Sequence, residues 1–116
     1  MKKPFVFNSD IYRENFLFMP AYTQKQVNAT LKKLKATELI DVSDCDGQTV
    51  FCADFVVIYS KYKDKSVESL STLVHECVHA ANMVLDHKGI PLTLENDESQ
   101  AYLVEWIFEN CLRFLK

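Results

Sequence analysis

The sequence predicts a single α+β domain in which a small antiparallel sheet packs against two or three helices. The chain has 116 residues, the size of one domain, so we assign residues 1–116 to one unit. Short β-prone segments and segments with helical periodicity follow one another, with no internal repeat or low-complexity tract. With only 2 Gly and 3 Pro in the chain, long disordered linkers are not expected.

The predicted strands lie in the first half of the chain. Phe5–Phe7 and Asn15–Met19 are short and rich in aromatic residues, which is typical of strands or buried irregular segments. A hairpin is predicted next, with Leu39–Val42 as one strand and Asp46-Gly47 as the turn. The long β-prone run Thr49–Ser60 would be the other strand, and it is apolar on both faces, so it should be well buried.

Three amphipathic segments are predicted as helices, over about 24–36, 67–87 and 97–114. Thr23 and Ser66 precede the first two and can each cap the free backbone N–H groups of a helix N-terminus. Gly89 follows the second helix and is a suitable stop, because glycine readily adopts the left-handed backbone of a helix C-cap. These helices complete the predicted α+β order.

Charge is unevenly distributed along the chain. Residues 1–36 hold seven Lys/Arg and two acids, a net +5, whereas residues 37–116 hold six and fourteen, a net −8. A basic end can bind nucleic acid, but the lysines of the first predicted helix are better explained as its solvated face. Nucleic acid is therefore not an expected partner.

The composition predicts a cytoplasmic protein with no membrane-spanning segment. No apolar run approaches the roughly 18 residues of a transmembrane helix. Polar residues and Pro4 interrupt the N-terminal stretch, so it does not resemble a signal peptide. The four cysteines contain no C-x-x-C pair, which argues against a zinc ribbon, and we expect reduced, largely buried thiols.

The strongest functional signal is the segment His75-Glu76-Cys77-Val78-His79, which matches H-E-x-x-H. Positions i and i+4 of a helix lie on the same face, so the two imidazoles can bind one metal ion. Glu76 would lie beside that ion without binding it, in a position to take a proton from a metal-bound water. The apolar surroundings favour a shared role for these three residues, and we predict one zinc ion per chain.

A catalytic zinc needs a third protein ligand and leaves its fourth position to water. Asp86 and His87 are on the same helix but roughly 10–12 Å farther along its axis, too far to reach the ion. The first turn of the last helix offers Glu95, Asp97 and Glu98. We favour Glu98, because a short loop should return this helix antiparallel to the histidine helix, and the small residue three positions later would allow close packing.

The pattern of His75, Glu76 and His79, followed after 18 residues by Glu98-x-x-Ala101, resembles the gluzincin branch of the zincin metallopeptidases. The resemblance implies a zincin-like fold with the H-E-x-x-H on its central helix. It also implies zinc held by the two histidines and Glu98, Glu76 as general base, and a substrate lying along the strand before the metal helix. Similar small domains occur in phages and mobile elements and in the core of the SprT-like peptidases.

Two functions are therefore expected as alternatives. The first is a zinc-dependent metallopeptidase that hydrolyses a peptide or protein substrate, with Glu76 as the catalytic residue and zinc bound by His75, His79 and Glu98. The second is a non-catalytic, zinc-stabilised protein-binding module. A metal-free structural domain is a third and weaker interpretation.

Overall fold

The computed structural model describes residues 5–115, so Pro4 and the outermost parts of the predicted 1–116 unit lie outside the described residues. The architecture is α+β, as predicted, with a four-stranded sheet and three α-helices. The elements are β1 (Phe5–Ser9), β2 (Glu14–Pro20), α1 (Gln24–Lys33), β3 (Gly47–Cys52), β4 (Phe55–Ser60), α2 (Val67–His87) and α3 (Asp97–Phe114). Across residues 5–115, no helix has the length and apolar character needed to cross a membrane.

The sheet is mixed, which corrects the prediction of an antiparallel one. Its order is β1-β2-β4-β3, with β1–β2 and β3–β4 antiparallel but the central pair β2–β4 parallel. Parallel neighbours need a crossover connection, and here the segment that contains α1 supplies it. The sequence contains a turn signal for a hairpin but no local signal for a pairing between strands so far apart, so the parallel pair was missed.

The hairpin is also placed differently from its prediction. Its turn is Ala53-Asp54, where both residues have positive φ, 53° and 65°, and this turn divides the run predicted as one strand into β3 and β4. Segment 39–42 forms no strand. The Gln24 side chain instead donates to the Ile40 carbonyl and accepts from the Val42 N–H, each at 2.7 Å, so the backbone there is satisfied without a sheet partner.

The helix boundaries follow the predicted caps. Thr23 forms a capping box with Gln26, and Ser66 accepts a hydrogen bond from the Ser69 N–H at the start of α2. Gly89, with φ +73°, ends α2 as predicted. Helix α1 ends at Lys33, three residues before the predicted Ala36, because the left-handed Lys35 lets the Ala36 N–H bond back to the Leu31 carbonyl at 3.0 Å.

The sheet separates two apolar clusters. On one face, Leu17, Met19, Val57 and Tyr59 pack with α1 and the 40–42 segment. On the other face, strand residues including Phe16 pack against α2 and α3. The histidine helix therefore lies on the opposite side of the sheet from α1, beside α3 and over β3 and β4.

Two buried cysteines join α2 to α3. Cys77 and Cys111 are fully buried and free, and both belong to the apolar cluster between the sheet, α2 and α3. Cys52 is also buried and free and Cys45 is half-buried and free, which confirms the predicted unpaired, largely buried thiols. Burial, together with the neighbouring Cys77, raises the pKa of Cys111 well above the ordinary value of 9.0.

The Cys111 thiol makes the free energy of unfolding depend on pH in the alkaline range. The pKa of Cys111 is higher in the folded state than in the unfolded chain. Its contribution to stability is therefore complete below the pKa of the unfolded thiol and is lost as the pH rises from there toward the folded pKa. We expect the free energy of unfolding in urea to fall between pH 8 and 10.5, with Cys111 contributing up to about 1.4 kcal/mol per pH unit. Cys111→Ala should be less stable at pH 7 but show a shallower alkaline decline, and an identical slope in both proteins would contradict this.

Candidate metal centre

The histidine pair lies on the side of α2 that faces away from the core. Leu73, Cys77, Ala80 and Val84 recur at helical spacing and are buried against the sheet and α3. His75 and His79 lie on the remaining face, where both are exposed. The helical period thus places both imidazoles one turn apart at the surface, where a small ligand can reach them.

The two imidazoles converge on each other. His75 Nε2 and His79 Nε2 are 3.2 Å apart, and the ring planes meet at 77°. Two nitrogens that bind one tetrahedral zinc at about 2.0–2.1 Å each lie about 3.3 Å apart. The pair therefore fits two ligands of a single ion, although the same spacing is a hydrogen bond when one ring carries its proton on Nε2.

Glu76 is buried, only 6% exposed, and points toward the sheet rather than into solvent. The Thr49 hydroxyl is 2.7 Å from Glu76 Oε1 and 3.1 Å from the Glu76 backbone carbonyl oxygen. A hydroxyl has one proton, which it can donate to either oxygen. This contact fixes the Glu76 side chain between α2 and β3, one residue away from the first histidine.

A glycine permits this arrangement. A Cβ atom at Gly47 would lie 2.9 Å from Glu76 Cγ, from Glu76 Oε2 and from Thr72 Cγ2, closer than side chains normally approach. The β3 backbone can therefore approach α2 at the level of Glu76 only because position 47 has no side chain. The sequence predicts a turn at this glycine but contains no signal for its contact with the H-E-x-x-H helix.

A depression of about 380 Å³ opens beside the site, between the start of β3 and α2. Its lining includes Asp46, Gly47, Thr72, His75 and Glu76. Two carboxylates thus line it, and Asp46 forms an ion pair at 3.0 Å with Lys61, whose pKa is raised by that hydrogen bond. The depression gives small molecules access to His75 and Glu76 together.

Glu98, the predicted third ligand, is exposed in the first turn of α3. The buried face of α3 is formed by Leu103, Ile107 and Cys111, whereas Ala101, on the Glu98 side, is exposed rather than packed on α2. Within residues 5–115, no three His, Cys, Asp or Glu side chains come together as a group that could hold a metal. The structure brings His75 and His79 together. The set of three ligands that includes Glu98 remains a prediction.

Three further side chains that could act on a substrate, those of His87, Tyr59 and Tyr102, differ in their surroundings. His87 Nδ1 is 2.6 Å from Glu14 Oε2, so its partner is the start of β2 rather than the histidine pair. Tyr59 is buried in the cluster on the α1 side of the sheet and is not available at His75. Tyr102 is 65% exposed on α3. None of these three side chains lines the depression beside His75.

The positions of Thr49 and Asp46 at this site were not predicted from the sequence. The sequence contains one signal for this site, which is the scarcity of glycine. Of the two glycines in the chain, one ends α2, and the other lies at the start of the β-prone run that contains Thr49. No protein-family model, curated protein or solved structure matches the chain, so the interpretation of this site depends on its own geometry.

Proposed function

We propose that the protein is a zinc-dependent peptidase in which His75 and His79 bind the metal and Glu76 is the general base. The observation that carries the proposal is the 3.2 Å separation of the two Nε2 atoms, the spacing of two nitrogens on one tetrahedral ion. Glu98 is retained as the proposed third ligand. It would have to reach the pair by a rearrangement at the start of α3.

Each residue would have a defined part in the chemistry. Zinc, when bound, would lower the pKa of a coordinated water and polarise the substrate carbonyl. Glu76 would accept the water proton and pass it to the leaving amine. The Thr49 hydroxyl would hold the Glu76 carboxylate in place, so that little reorganisation is needed when the proton moves.

The sheet edge favours a peptide as the substrate class. β3 is an edge strand, paired only with β4 among residues 5–115, and it runs beside the histidine helix. An extended peptide can add to such an edge through main-chain hydrogen bonds, which would bring a peptide carbonyl toward the depression lined by His75 and Glu76.

The second candidate function is a non-catalytic, zinc-stabilised protein-binding module. The observation that favours it is the Thr49 contact, because a buried Glu76 that ties α2 to β3 already has a structural role. In that case the metal would brace the exposed side of α2 and Glu76 would hold the helix on the sheet. The two functions differ in whether Glu76 must be ionisable.

Zinc content tests the metal site that both candidates share. We expect about one zinc per chain by elemental analysis of protein loaded with zinc and then desalted. His75→Asn and His79→Asn should each lose most of it, because one imidazole on an exposed helix binds zinc weakly. Glu98→Ala should also lose it if Glu98 is the third ligand.

His87→Gln is the matched control, since it replaces the third histidine of the chain and should leave the zinc content unchanged. Equal zinc in the wild type and in both pair variants would rule out the proposed site. Full zinc in Glu98→Ala, with loss in the pair variants, would keep the histidines and assign the third position to another ligand.

A further inference from the structure

A second concave surface shares no lining residue with the depression beside the histidine pair. It is a cavity of about 650 Å³ between the β1–β2 turn and the middle of α3. β1 and β3 are the opposite edges of the sheet, so this cavity is at the β1 edge and the metal centre is at the β3 edge. None of its lining residues belongs to the proposed metal site.

Three aromatic side chains line this cavity: Tyr12, Tyr102 and Trp106. Trp106 is fixed from behind, because its ring packs edge-on against Phe7 and Phe16 at centroid distances of 5.6 and 5.7 Å. Tyr102 is 65% exposed, so its ring face is accessible to a ligand. The electron-rich faces of such rings attract cations.

Three carboxylates line the same cavity: Asp10, Glu105 and Glu109. Glu109 is partly neutralised by Arg113 at 3.2 Å. The side-chain carboxylates of Asp10 and Glu105 have no hydrogen-bond or ion-pair partner among residues 5–115, and Arg13 of the same turn is not part of the lining. The lining residues therefore carry a net negative charge with aromatic rings between the acids.

We propose that this cavity binds a lysine or arginine side chain from a basic segment of a partner protein. Charge complementarity selects a cation, and the aromatic rings select one whose charge is weakly hydrated or carried on an alkyl stem. Ile11, which is 87% exposed, and the buried Leu103 supply apolar surface for that stem. The proposal does not depend on the metal site.

The chain offers a site-specific probe, because Trp106 is its only tryptophan. A short peptide of alternating lysine and glycine, titrated with a chelator present, should change Trp106 fluorescence in a saturable way. The same peptide with glutamate in place of lysine should not. Asp10→Asn combined with Glu105→Gln should weaken binding on the order of tenfold.

A matched control removes two exposed acids elsewhere, Glu38→Gln with Asp44→Asn, which changes the net charge equally. This variant should bind the lysine peptide within about twofold of wild type. An equal loss in both double variants would overturn the proposal, because binding would then follow overall charge rather than the cavity. No saturable change in wild type at millimolar peptide would overturn it as well.

Tyr102 tests the aromatic part separately. Because it is exposed, its truncation should not affect folding. Tyr102→Ala should weaken binding of the lysine peptide several-fold, whereas Tyr102→Phe, which keeps the ring face, should bind like wild type. Equal affinities for Tyr102→Ala and wild type would remove the aromatic contribution and contradict the proposed mode of binding.

Discussion

Glu76→Gln is expected to reduce peptide hydrolysis by about 10²–10⁴-fold while leaving zinc content and folding intact. Glutamine has the same shape and keeps an oxygen that can accept the Thr49 hydroxyl hydrogen bond, now 2.7 Å long. It cannot take a proton from water. The measurement is the rate of cleavage of a quenched fluorescent peptide library by zinc-loaded protein, with zinc quantified in the same samples.

Thr49→Ser is the control for this variant, because it keeps the hydroxyl that contacts Glu76 and should retain most of the activity. Unchanged hydrolysis in Glu76→Gln would contradict the role of Glu76 as the base. Loss of zinc in that variant would show that Glu76 supports the metal directly. A zinc-loaded wild type that cleaves no peptide would favour the binding-module function.

Gly47→Ala is expected to destabilise the protein by about 1–3 kcal/mol and to displace Glu76. The added Cβ would meet two atoms of the Glu76 side chain and one of Thr72, each at 2.9 Å. Since the Glu76 carboxylate would have to move, its hydrogen bond from Thr49 should weaken and any hydrolysis should fall with it. Urea unfolding and the peptide assay measure the two effects.

Gly89→Ala is the matched control for the glycine substitution. Position 89 has no atom within 4 Å of an added Cβ, but its φ of +73° disfavours any side chain. Its cost should be about 1 kcal/mol, from the backbone alone. This control should lower stability and keep activity, whereas equal activity losses in both variants would show that activity follows general stability.

Local signals were sufficient for the helices. Thr23, Ser66 and Gly89 mark helix ends through contacts with their immediate neighbours, so their roles could be predicted from the sequence. The hairpin turn was misplaced because Asp-Gly is a far stronger turn signal than the Ala53-Asp54 pair that forms the turn. The parallel β2–β4 pair and the binding of Gln24 to the 40–42 segment depend on long-range contacts, which periodicity does not encode.

The candidate site also has a part that could be predicted from the sequence and a part that could not. The convergence of His75 and His79 follows from the helical period and was predictable. The Thr49 contact with Glu76 joins residues 27 positions apart, and nothing in either segment specifies it. The expected approach of Glu98 assumed that Ala101 would face α2, but the larger apolar residues Leu103 and Ile107 occupy the buried face of α3 instead.

The histidine pair lies within one helix, whereas the Glu76–Thr49 contact joins a helix to a strand. The two should therefore respond differently to partial unfolding. His75 and His79 are four positions apart on one helix, so their spacing persists wherever that turn of α2 stays folded. The Glu76 carboxylate is oriented by β3, and its alignment therefore ends when the hairpin detaches from α2. If the hairpin detaches while α2 stays packed on α3, the proposed metal ligands remain together but the alignment of Glu76 is lost, so hydrolysis should fail at a lower denaturant concentration than zinc binding.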